Sequence, residues 1–291
     1  MSDDEELDIF IHHVLIGDLY YDISYDSAKE DRIAVVVCQS YDESTNYPDL
    51  TSVVIPEKVI YDDEEYRIVS IGYAAFAFCS RLASVTLPKT LTKIEENAFW
   101  GCSSLTSIVV PDGVTVIEKN AFYDCPKLTT IELPDSLVSI GDRAFDDSEI
   151  TSIRFPNSIT QIGDSVFGCS RIPIYNNHLF AKLPHSYSGK YIVPEGIKTI
   201  AKCAFLHYVD KPFSIVLPES VTHIGHEALW CLDSLTSLTC KAIVPPVLEE
   251  NVFNHDGEIS IPVYVPVESI ERYKAAPQWQ QCTNIQPIPN S

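Results

Sequence analysis

Apolar residues recur along this chain at spacings that predict short strands joined by partly buried connections. In the segment that begins at Leu105, Ile108 and Val110 alternate with Ser107 and Val109. This period-two pattern is typical of a short strand with one buried face. Wider apolar spacings follow, at Val114, Ile117, Ala121, Phe122, Cys125 and Leu128. The segment therefore predicts one strand and an irregular return path with its own buried positions.

A proline ends each predicted strand. Pro111 has no N–H for a β-ladder and a fixed φ, so the strand should stop there. The pair Asp112-Gly113 predicts a turn, and a second extended piece ends at Ile117. A single helical turn around Ala121-Phe122 is expected to bring the chain back. The same proline recurs at Pro56, Pro88, Pro134, Pro156, Pro194 and Pro218.

The whole pattern repeats about every 23 residues. The large apolar residue of each unit stands at Phe76, Phe99, Phe122, Phe145, Phe167, Phe205, Leu229 and Phe253, in steps of 23, 23, 23, 22, 38, 24 and 24. Self-similarity at this period predicts a solenoid. Burial in one unit contributes roughly 12 to 20 kcal/mol, and ordering its backbone costs at least as much, at about 1 to 2 kcal/mol per residue. Stability must therefore come from stacked units with parallel strands and covered ends.

The N-terminal end predicts a β-hairpin cap. Gly17 to Ile23 and Arg32 to Cys38 read as its two strands, which places the cap at residues 1–48. A second hairpin, Val59 to Tyr61 with Tyr66 to Val69, is predicted to lengthen the first repeat around an acidic turn.

The C-terminal end predicts a short helical cap. Val263 to Pro266 is expected to be the last strand, and Glu268 to Ala276 a helix that Pro277 ends. Trp279 and Ile285 are expected to close the core beneath that helix. We predict a solenoid over residues 49–266 and a C-terminal cap over 267–291, all in one continuous domain with the N-terminal cap.

Several units share the pattern L-x-x-I-x-L-P-x-x-L-x-x-I-x-x-x-A-F-x-x-C. One unit matches it at Leu128, Ile131, Leu133, Pro134, Leu137, Ile140, Ala144 and Phe145, with Ser148 in place of the cysteine. Over roughly residues 50–266, and in both caps, the chain resembles the BspA-like leucine-rich repeat family. The resemblance implies a β-dominated α/β-type leucine-rich-repeat solenoid, wound as a right-handed parallel coil. It also implies protein binding and adhesion, on the surface of bacteria or secreted from them, with no catalytic residue and no cofactor.

The charge balance excludes two classes of partner. The chain has 41 acidic and 20 basic residues, a net charge of −21, so phosphate backbones and anionic lipid surfaces would be repelled. No stretch approaches the roughly 20 apolar residues of a membrane helix. We expect no nucleic-acid partner and no membrane insertion. The start, MSDDEELDIF, is acidic where a secretory signal is basic, so a cytoplasmic location stays open beside the extracellular or surface one.

Cysteines and histidines are the candidates for metal or redox chemistry. Cys79, Cys102 and Cys125 share one repeat position and should stack as buried side chains about 5 Å apart. Buried free thiols are the favoured interpretation, with a disulfide or a metal site as alternatives. His223 and His226 occupy variable, mostly polar repeat positions, which favours solvent exposure over a metal role. We expect no metal and no cofactor.

Motifs of the common enzyme classes are missing from the sequence. There is no G-x-S-x-G elbow, Walker loop, dinucleotide fingerprint or H-E-x-x-H. We expect no enzymatic activity. The alternative is a glycan hydrolase whose carboxylates are gathered by the irregular segment between Phe167 and Phe205.

The strand face of the solenoid is the first candidate for partner binding. Its side chains are expected to be small and largely neutral, except in the row that contains Glu132 and Arg154. These two residues are therefore candidate contacts on the predicted concave surface.

The irregular step of 38 residues is the second candidate. Its surplus of about 15 residues lies in residues 171–194, where a hairpin is predicted around Pro184 to Gly189. Insertions into solenoids often lie on the binding face. Tyr175, His185 and Tyr187 are of types favoured at interfaces and are candidate contacts, whereas Phe180, Leu183 and Tyr191 are expected to fill the core.

The sequence thus predicts a monomeric, non-enzymatic module that binds a protein, such as an extracellular-matrix or host-surface ligand. A cytosolic interaction scaffold is the alternative in which the same surface serves an internal partner.

Overall fold

Short strands that pair in parallel from turn to turn form most of the structure. The computed structural model describes residues 9–26, 31–39, 47–184, 186–206, 212–230, 234–253 and 259–289. Contacts divide the chain into two units, Met1–Val166 and Phe167–Ser291. Each unit is a β-dominated solenoid of the predicted kind. The predicted domain limits stay a prediction.

The first unit contains the predicted N-terminal cap and five repeat turns with paired strands. Its strands are β1 (Ile9–Ile16), β2 (Leu19–Asp26), β3 (Asp31–Val37), β4 (Ser52–Val54), β5 (Lys58–Tyr61), β6 (Glu64–Ile71), β7 (Ser84–Thr86), β8 (Lys93–Ile94), β9 (Ser107–Val109), β10 (Val116–Ile117), β11 (Thr130–Glu132), β12 (Ser139–Ile140), β13 (Ser152–Arg154) and β14 (Gln161–Ile162).

Two sets of parallel strands run along the first unit. On one side β6, β8, β10, β12 and β14 pair in order, and the antiparallel strands β1, β2 and β3 extend this sheet beyond β6. On the other side lie the pairs β4–β7 and β9–β11–β13. The cap thus has the two predicted strands, β2 and β3, and a further strand, β1. The predicted second hairpin is β5 with β6, and Asp62 and Asp63 form its turn with φ of 52° and 62°.

A stack of phenylalanines fills the middle of the first unit. The stack consists of Phe76, Phe99, Phe122 and Phe145. The centroids of successive rings are 5.2, 5.1 and 5.1 Å apart, and successive ring planes are within 8° of parallel. All four rings are fully buried. The 23-residue step therefore sets one ring directly above the next, which confirms the predicted core position.

The connection before each phenylalanine is a series of tight turns and not the predicted helical turn. Asn97, Asn120, Arg143 and Ser165, at the same repeat position, have φ between 50° and 61°. A left-handed residue interrupts a right-handed helix, so the chain reverses within a few residues. Close approach also matters here, because a Cβ on Gly141 would lie 2.5 Å from the backbone N of Lys119 in the preceding turn.

The second unit continues the two-sided pattern. Its elements are β15 (Ile174–Tyr175), β16 (Leu179–Lys182), β17 (Gly189–Ile192), β18 (Thr199–Ile200), β19 (Phe213–Leu217), β20 (His223–Ile224), β21 (Leu235–Cys240), β22 (Val247–Leu248), β23 (Val263–Val265), α1 (Ile270–Ala275) and β24 (Ile285–Pro287), with 3-10 turns at Val267–Ser269 and Trp279–Gln281. One sheet has the order β15-β16-β18-β20-β22 and the other β17-β19-β21-β23-β24.

The predicted hairpin around Pro184 to Gly189 is wrong. Its two flanking strands, β16 and β17, belong to different sheets, and each pairs in parallel with a strand of the next turn. The reason is burial, because Phe180 in β16 stacks on Phe205 at 5.0 Å and is fully buried. The irregular segment thus supplies both strands of a repeat turn, and its hairpin is β15 with β16.

The C-terminal cap differs from the prediction in its last strand. The helix α1 ends at Ala275, before Pro277, and Trp279 is fully buried with its Nε1 donating to the Pro246 carbonyl at 2.9 Å. However, β23 is not the last strand, since β24 pairs with it in parallel. Ile285 lies in β24 and is half-buried, and β24 contacts the helix α1.

Candidate partner-binding surfaces

The row on the strand face is formed by β9, β11 and β13 of the first unit. Glu132 pairs in register with Val109 on one side and Arg154 on the other, as the repeat predicts. Val109 is 59% exposed, and Glu132 is exposed beside it. The side chain of Arg154 is directed to other groups, since its guanidinium donates to the Leu133 carbonyl at 2.9 Å and to the Asp135 carboxylate at 2.7 Å. The row thus presents an apolar side chain, an acidic side chain and an arginine whose guanidinium is fixed by hydrogen bonds.

Tyr175 and Tyr187 come together around Tyr191 in the second unit. The Tyr175 ring stacks on Phe180 at 6.1 Å, and Tyr191 lies 5.6 Å from the same phenylalanine. Tyr187 contacts Tyr191 edge-on at 5.2 Å and donates its hydroxyl to the Lys190 carbonyl at 2.9 Å. Burial, with Tyr175 and Tyr187 nearby, raises the pKa of Tyr191. Tyr175 itself is 43% exposed.

We call Tyr175, Tyr187 and Tyr191 the tyrosine cluster. Phe180 and Leu183 are fully buried, as predicted, and Tyr191 is half-buried. His185, the third predicted contact in this segment, lies outside the described residues. The cluster therefore combines a buried base with two partly exposed phenol rings.

A second aromatic surface was not predicted from the sequence. Phe78, Trp100 and Tyr123, here called the aromatic stripe, run across three successive turns of the first unit. Ring centroids are 4.8 Å apart between Phe78 and Trp100 and 6.1 Å between Trp100 and Tyr123. The available signal was that Trp100 and Tyr123 each follow a phenylalanine of the stack, which puts aromatic residues at one surface position in adjacent repeats.

An apolar groove lies beside the N-terminal cap. Its volume is about 560 Å³, and it is lined by the turn between β1 and β2, by β4 and by β5. Val54 and Ile60 on its rim are 74% and 65% exposed. Asp18 and Lys58 are the charged residues among its described lining, so the groove offers mostly apolar contact.

The cysteine ladder is part of the core. Cys79, Cys102 and Cys125 are buried free thiols, as predicted. The thiols of Cys102 and Cys125 donate to the carbonyls of Phe76 and Phe99 at 3.2 and 3.3 Å, and Ser148 donates to Phe122 in the same way at 3.5 Å. Burial raises the pKa of Cys125 to about 12. These thiols are thus structural donors held in their neutral form.

The two histidines contact protein groups at the surface of the second unit. His223 is exposed in β20. His226 donates from Nδ1 to the Glu250 carbonyl at 2.8 Å and lies 3.3 Å from the Glu227 carboxylate. Among the described residues, no three His, Cys, Asp or Glu side chains are grouped to hold a metal ion. Within the same residues, no helix has the length and apolar character needed to span a membrane.

Residues 45–173 and 176–275 match the model of the BspA type leucine rich repeat region, in six copies. The chain belongs to this family. The BspA-type repeat accounts for the proline after each strand, for the phenylalanine stack and for the cysteine ladder, because all three recur at its period. No curated protein matches the chain.

Several solved structures of bacterial proteins are similar to this BspA-type chain. A leucine-rich repeat protein from Bacteroides ovatus is 22% identical, with a TM-score of 0.55, over 94% of this chain and 76% of that one. The pneumococcal vaccine antigen PcpA is 17% identical, with a TM-score of 0.48, over 97% and 99% of the two chains. A leucine rich cell surface protein from Faecalibacterium prausnitzii is 19% identical, with a TM-score of 0.41, over 99% and 97%. The first of these likenesses supports the fold.

Proposed function

We propose that this chain is a non-enzymatic protein-binding module that acts at the bacterial cell surface or outside the cell, in adhesion. Its partner is a protein such as an extracellular-matrix or host-surface component. The observation that carries the proposal is the tyrosine cluster, in which Tyr175 and Tyr187 are held against a buried aromatic base on a repeat scaffold. Preorganised, partly exposed tyrosines are typical anchors of protein interfaces.

Family membership supports the same proposal. A solenoid presents an extended surface, since each turn contacts only its neighbours. The resemblance to BspA-like proteins implies adhesion and a surface or secreted location. The strand row with Glu132 and Arg154 in the first unit is the second candidate contact, and it is available for polar recognition.

The hydrolase alternative lacks the groups that it needs in the irregular segment. Hydrolysis of glycosidic bonds usually requires a pair of carboxylates. Between Phe167 and Phe205 the sequence contains one carboxylate, Glu195, and its side chain lies 3.5 Å from Lys241 in an exposed ion pair. The segment therefore favours binding over this chemistry.

An array of extracellular-matrix proteins, host-surface proteins and glycans, probed with the purified protein, tests the proposal. We expect a protein ligand whose affinity falls about tenfold or more in the double variant Tyr175→Ser, Tyr187→Ser. The matched control is Tyr61→Ser, a tyrosine in β5 of the other unit, which should bind as the unaltered protein does. Loss of affinity in Glu132→Ala and not in the tyrosine variant would move the site to the strand row. Binding to glycans alone would contradict the proposal.

A further inference from the structure

Phe78 occupies a position whose backbone conformation disfavours a bulky residue. Its φ is 59°, and its side chain is 39% exposed. In the following turns the same position holds Gly101, Asp124 and Asp147, with φ of 72°, 55° and 56°. Glycine and aspartate adopt this conformation at lower cost than phenylalanine. Phe78 thus combines backbone strain with exposed apolar surface, a combination that points to function and not to stability.

Gly101 creates the space that the Phe78 ring occupies. A Cβ on Gly101 would lie 2.8 Å from Cδ1 of Phe78, so a larger residue there would displace the ring. With glycine present, Phe78 packs against Trp100 at an interplanar angle of 49°, and Trp100 against Tyr123 at 43°. The three rings of the aromatic stripe therefore form one continuous surface across three turns.

At one end of the aromatic stripe, a cationic side chain of the protein itself already lies over a ring. The guanidinium carbon of Arg143 lies 5.1 Å from the centroid of the Tyr123 ring. Nε of the same side chain is 3.3 Å from the Asp146 carboxylate. A cation over an aromatic face with a carboxylate beside it is a favourable arrangement. One turn earlier, the residue equivalent to Arg143 is Asn120, which brings no charge to Trp100.

The surroundings of the stripe are acidic. Asp124 follows Tyr123 directly, and in the next turn Asp146 stands at the position equivalent to Tyr123 and is followed by Asp147. Burial and the nearby Asp147 carboxylate raise the pKa of Tyr123, and Asp146 acts in the same direction. The net charge of −21 adds a long-range attraction for basic partners.

We propose that the aromatic stripe binds a lysine- or arginine-rich extended segment of a partner protein, with one cationic side chain over Trp100. The inference rests on the proposed function as a protein-binding module. Alternate side chains of an extended segment lie roughly 6.5 Å apart. This spacing is close to the 6.1 Å between the Trp100 and Tyr123 rings, so alternate side chains of such a segment match two neighbouring turns, of which the one at Tyr123 already holds the Arg143 guanidinium.

A labelled peptide in which arginine alternates with serine tests this inference by titration, with a glutamate-serine peptide as the charge control. Trp100→Ala should weaken binding of the arginine peptide about three- to tenfold, and Phe78→Asn about threefold. Asparagine suits the left-handed conformation at position 78, so we expect this variant to stay folded, and an unchanged thermal midpoint would separate loss of binding from unfolding.

Arg143→Asn provides the opposite change. It removes the internal cation from Tyr123 and introduces the residue type found at the equivalent Asn97 and Asn120. Binding of the arginine peptide should tighten about threefold as a second ring face opens. The matched control is Arg67→Gln, which removes a positive charge from an exposed ion pair with Asp31 elsewhere in the unit and should tighten binding less.

Two kinds of result would overturn the inference alone. The first kind comes from the peptide titration. Either the unaltered protein fails to bind the arginine peptide, or it binds the peptide no better than Trp100→Ala does. Equal binding would mean that the attraction comes from net charge alone. The second is a protein ligand from the array that binds Phe78→Asn and Trp100→Ala as tightly as the unaltered protein, which leaves the proposed function standing. If the array contains no protein that binds, both this inference and the proposed function are overturned.

Discussion

Burial of individual thiols makes the stability of this protein sensitive to alkaline pH. The pKa of Cys125 is raised from 9.0 to about 12 by burial, and that of Cys79 likewise to about 12. In the unfolded chain these thiols ionise near pH 9, so the unfolded state loses protons that the folded state keeps. The stabilisation is fully present below pH 9 and is lost as pH rises toward 12.

We therefore predict that the free energy of unfolding falls above pH 9 by roughly 1.4 kcal/mol per pH unit for each buried thiol. Urea unfolding under reducing conditions at pH 8, 9 and 10 measures the slope. Cys125→Ser should flatten it, and the fold should accept serine because Ser148 makes the same contact in the next turn. Identical slopes for both proteins would show that the Cys125 thiol is not responsible.

Ser165 is held in a conformation that another residue would adopt at lower cost. Its φ is 50°, and the equivalent residues two and three turns earlier are Asn120 and Asn97. We predict that Ser165→Asn stabilises the protein by about 0.5 to 1 kcal/mol, since asparagine tolerates the left-handed region better than serine. Thermal unfolding checks this, with Ser165→Ala as the control that keeps the strain. A lower midpoint for the asparagine variant would contradict the prediction.

At the scale of elements, the phenylalanine stack carries much of the contact between turns. Phe122 is fully buried between Phe99 and Phe145, at 5.1 Å from each. We predict that Phe122→Ala lowers the free energy of unfolding by about 3 to 5 kcal/mol. Phe122→Leu should cost less, because Leu229 fills the equivalent place in another turn. Denaturant unfolding measures both.

The control for this prediction is a surface position of the same repeat array. His223→Ala changes an exposed side chain in β20 and should alter stability by less than about 0.5 kcal/mol. A loss in Phe122→Ala as small as that of the histidine variant would mean that the stack does not link the turns.

Elements were predictable from the sequence where the repeat is regular. The register of Glu132 with Val109 and Arg154 was correct because several matching units determine which residues face inward. The segment between Phe167 and Phe205 has no matching unit, so local turn residues favoured a hairpin. Burial of Phe180 decided instead for two strands in separate sheets. The strand β24 was missed because it also lies outside the regular repeat, so no matching unit indicated that it pairs with β23.

The candidate site was predictable in part. Tyr175 and Tyr187 were proposed as contacts from their residue type, but their arrangement around Tyr191 depends on the path of β15 to β17. The aromatic stripe was missed because Trp100 lies at a variable position of the repeat pattern, directly after Phe99. The proximity of Phe78 to Trp100 also depends on Gly101, and repeat alignment alone does not reveal it.

At the scale of the whole molecule, two electrostatic effects on stability oppose each other. Attraction within exposed ion pairs favours the folded state, and repulsion among the excess negative charges disfavours it. Lys58–Glu65, Arg67–Asp31, Arg81–Asp49 and Arg154–Asp135 are all solvent-exposed. Each such pair is worth at most about 1 kcal/mol and weakens in salt. With a net charge of −21, the excess carboxylates repel one another more strongly in the folded state, where they are closer together, and this repulsion lowers stability. Salt screens both effects, so the sign of the salt response shows which of them dominates.

We predict that screening of the net charge dominates, so that added sodium chloride raises the thermal midpoint by a few degrees. The Debye length falls from about 30 Å at 0.01 M to about 8 Å at 0.15 M, which removes repulsion between distant carboxylates before it affects ion pairs in contact. Sulfate is unsuitable because it strengthens apolar burial by exclusion. The salt response should shrink near pH 4.5, where carboxylates begin to protonate. A midpoint that falls with sodium chloride at neutral pH would mean that the ion pairs outweigh the net charge.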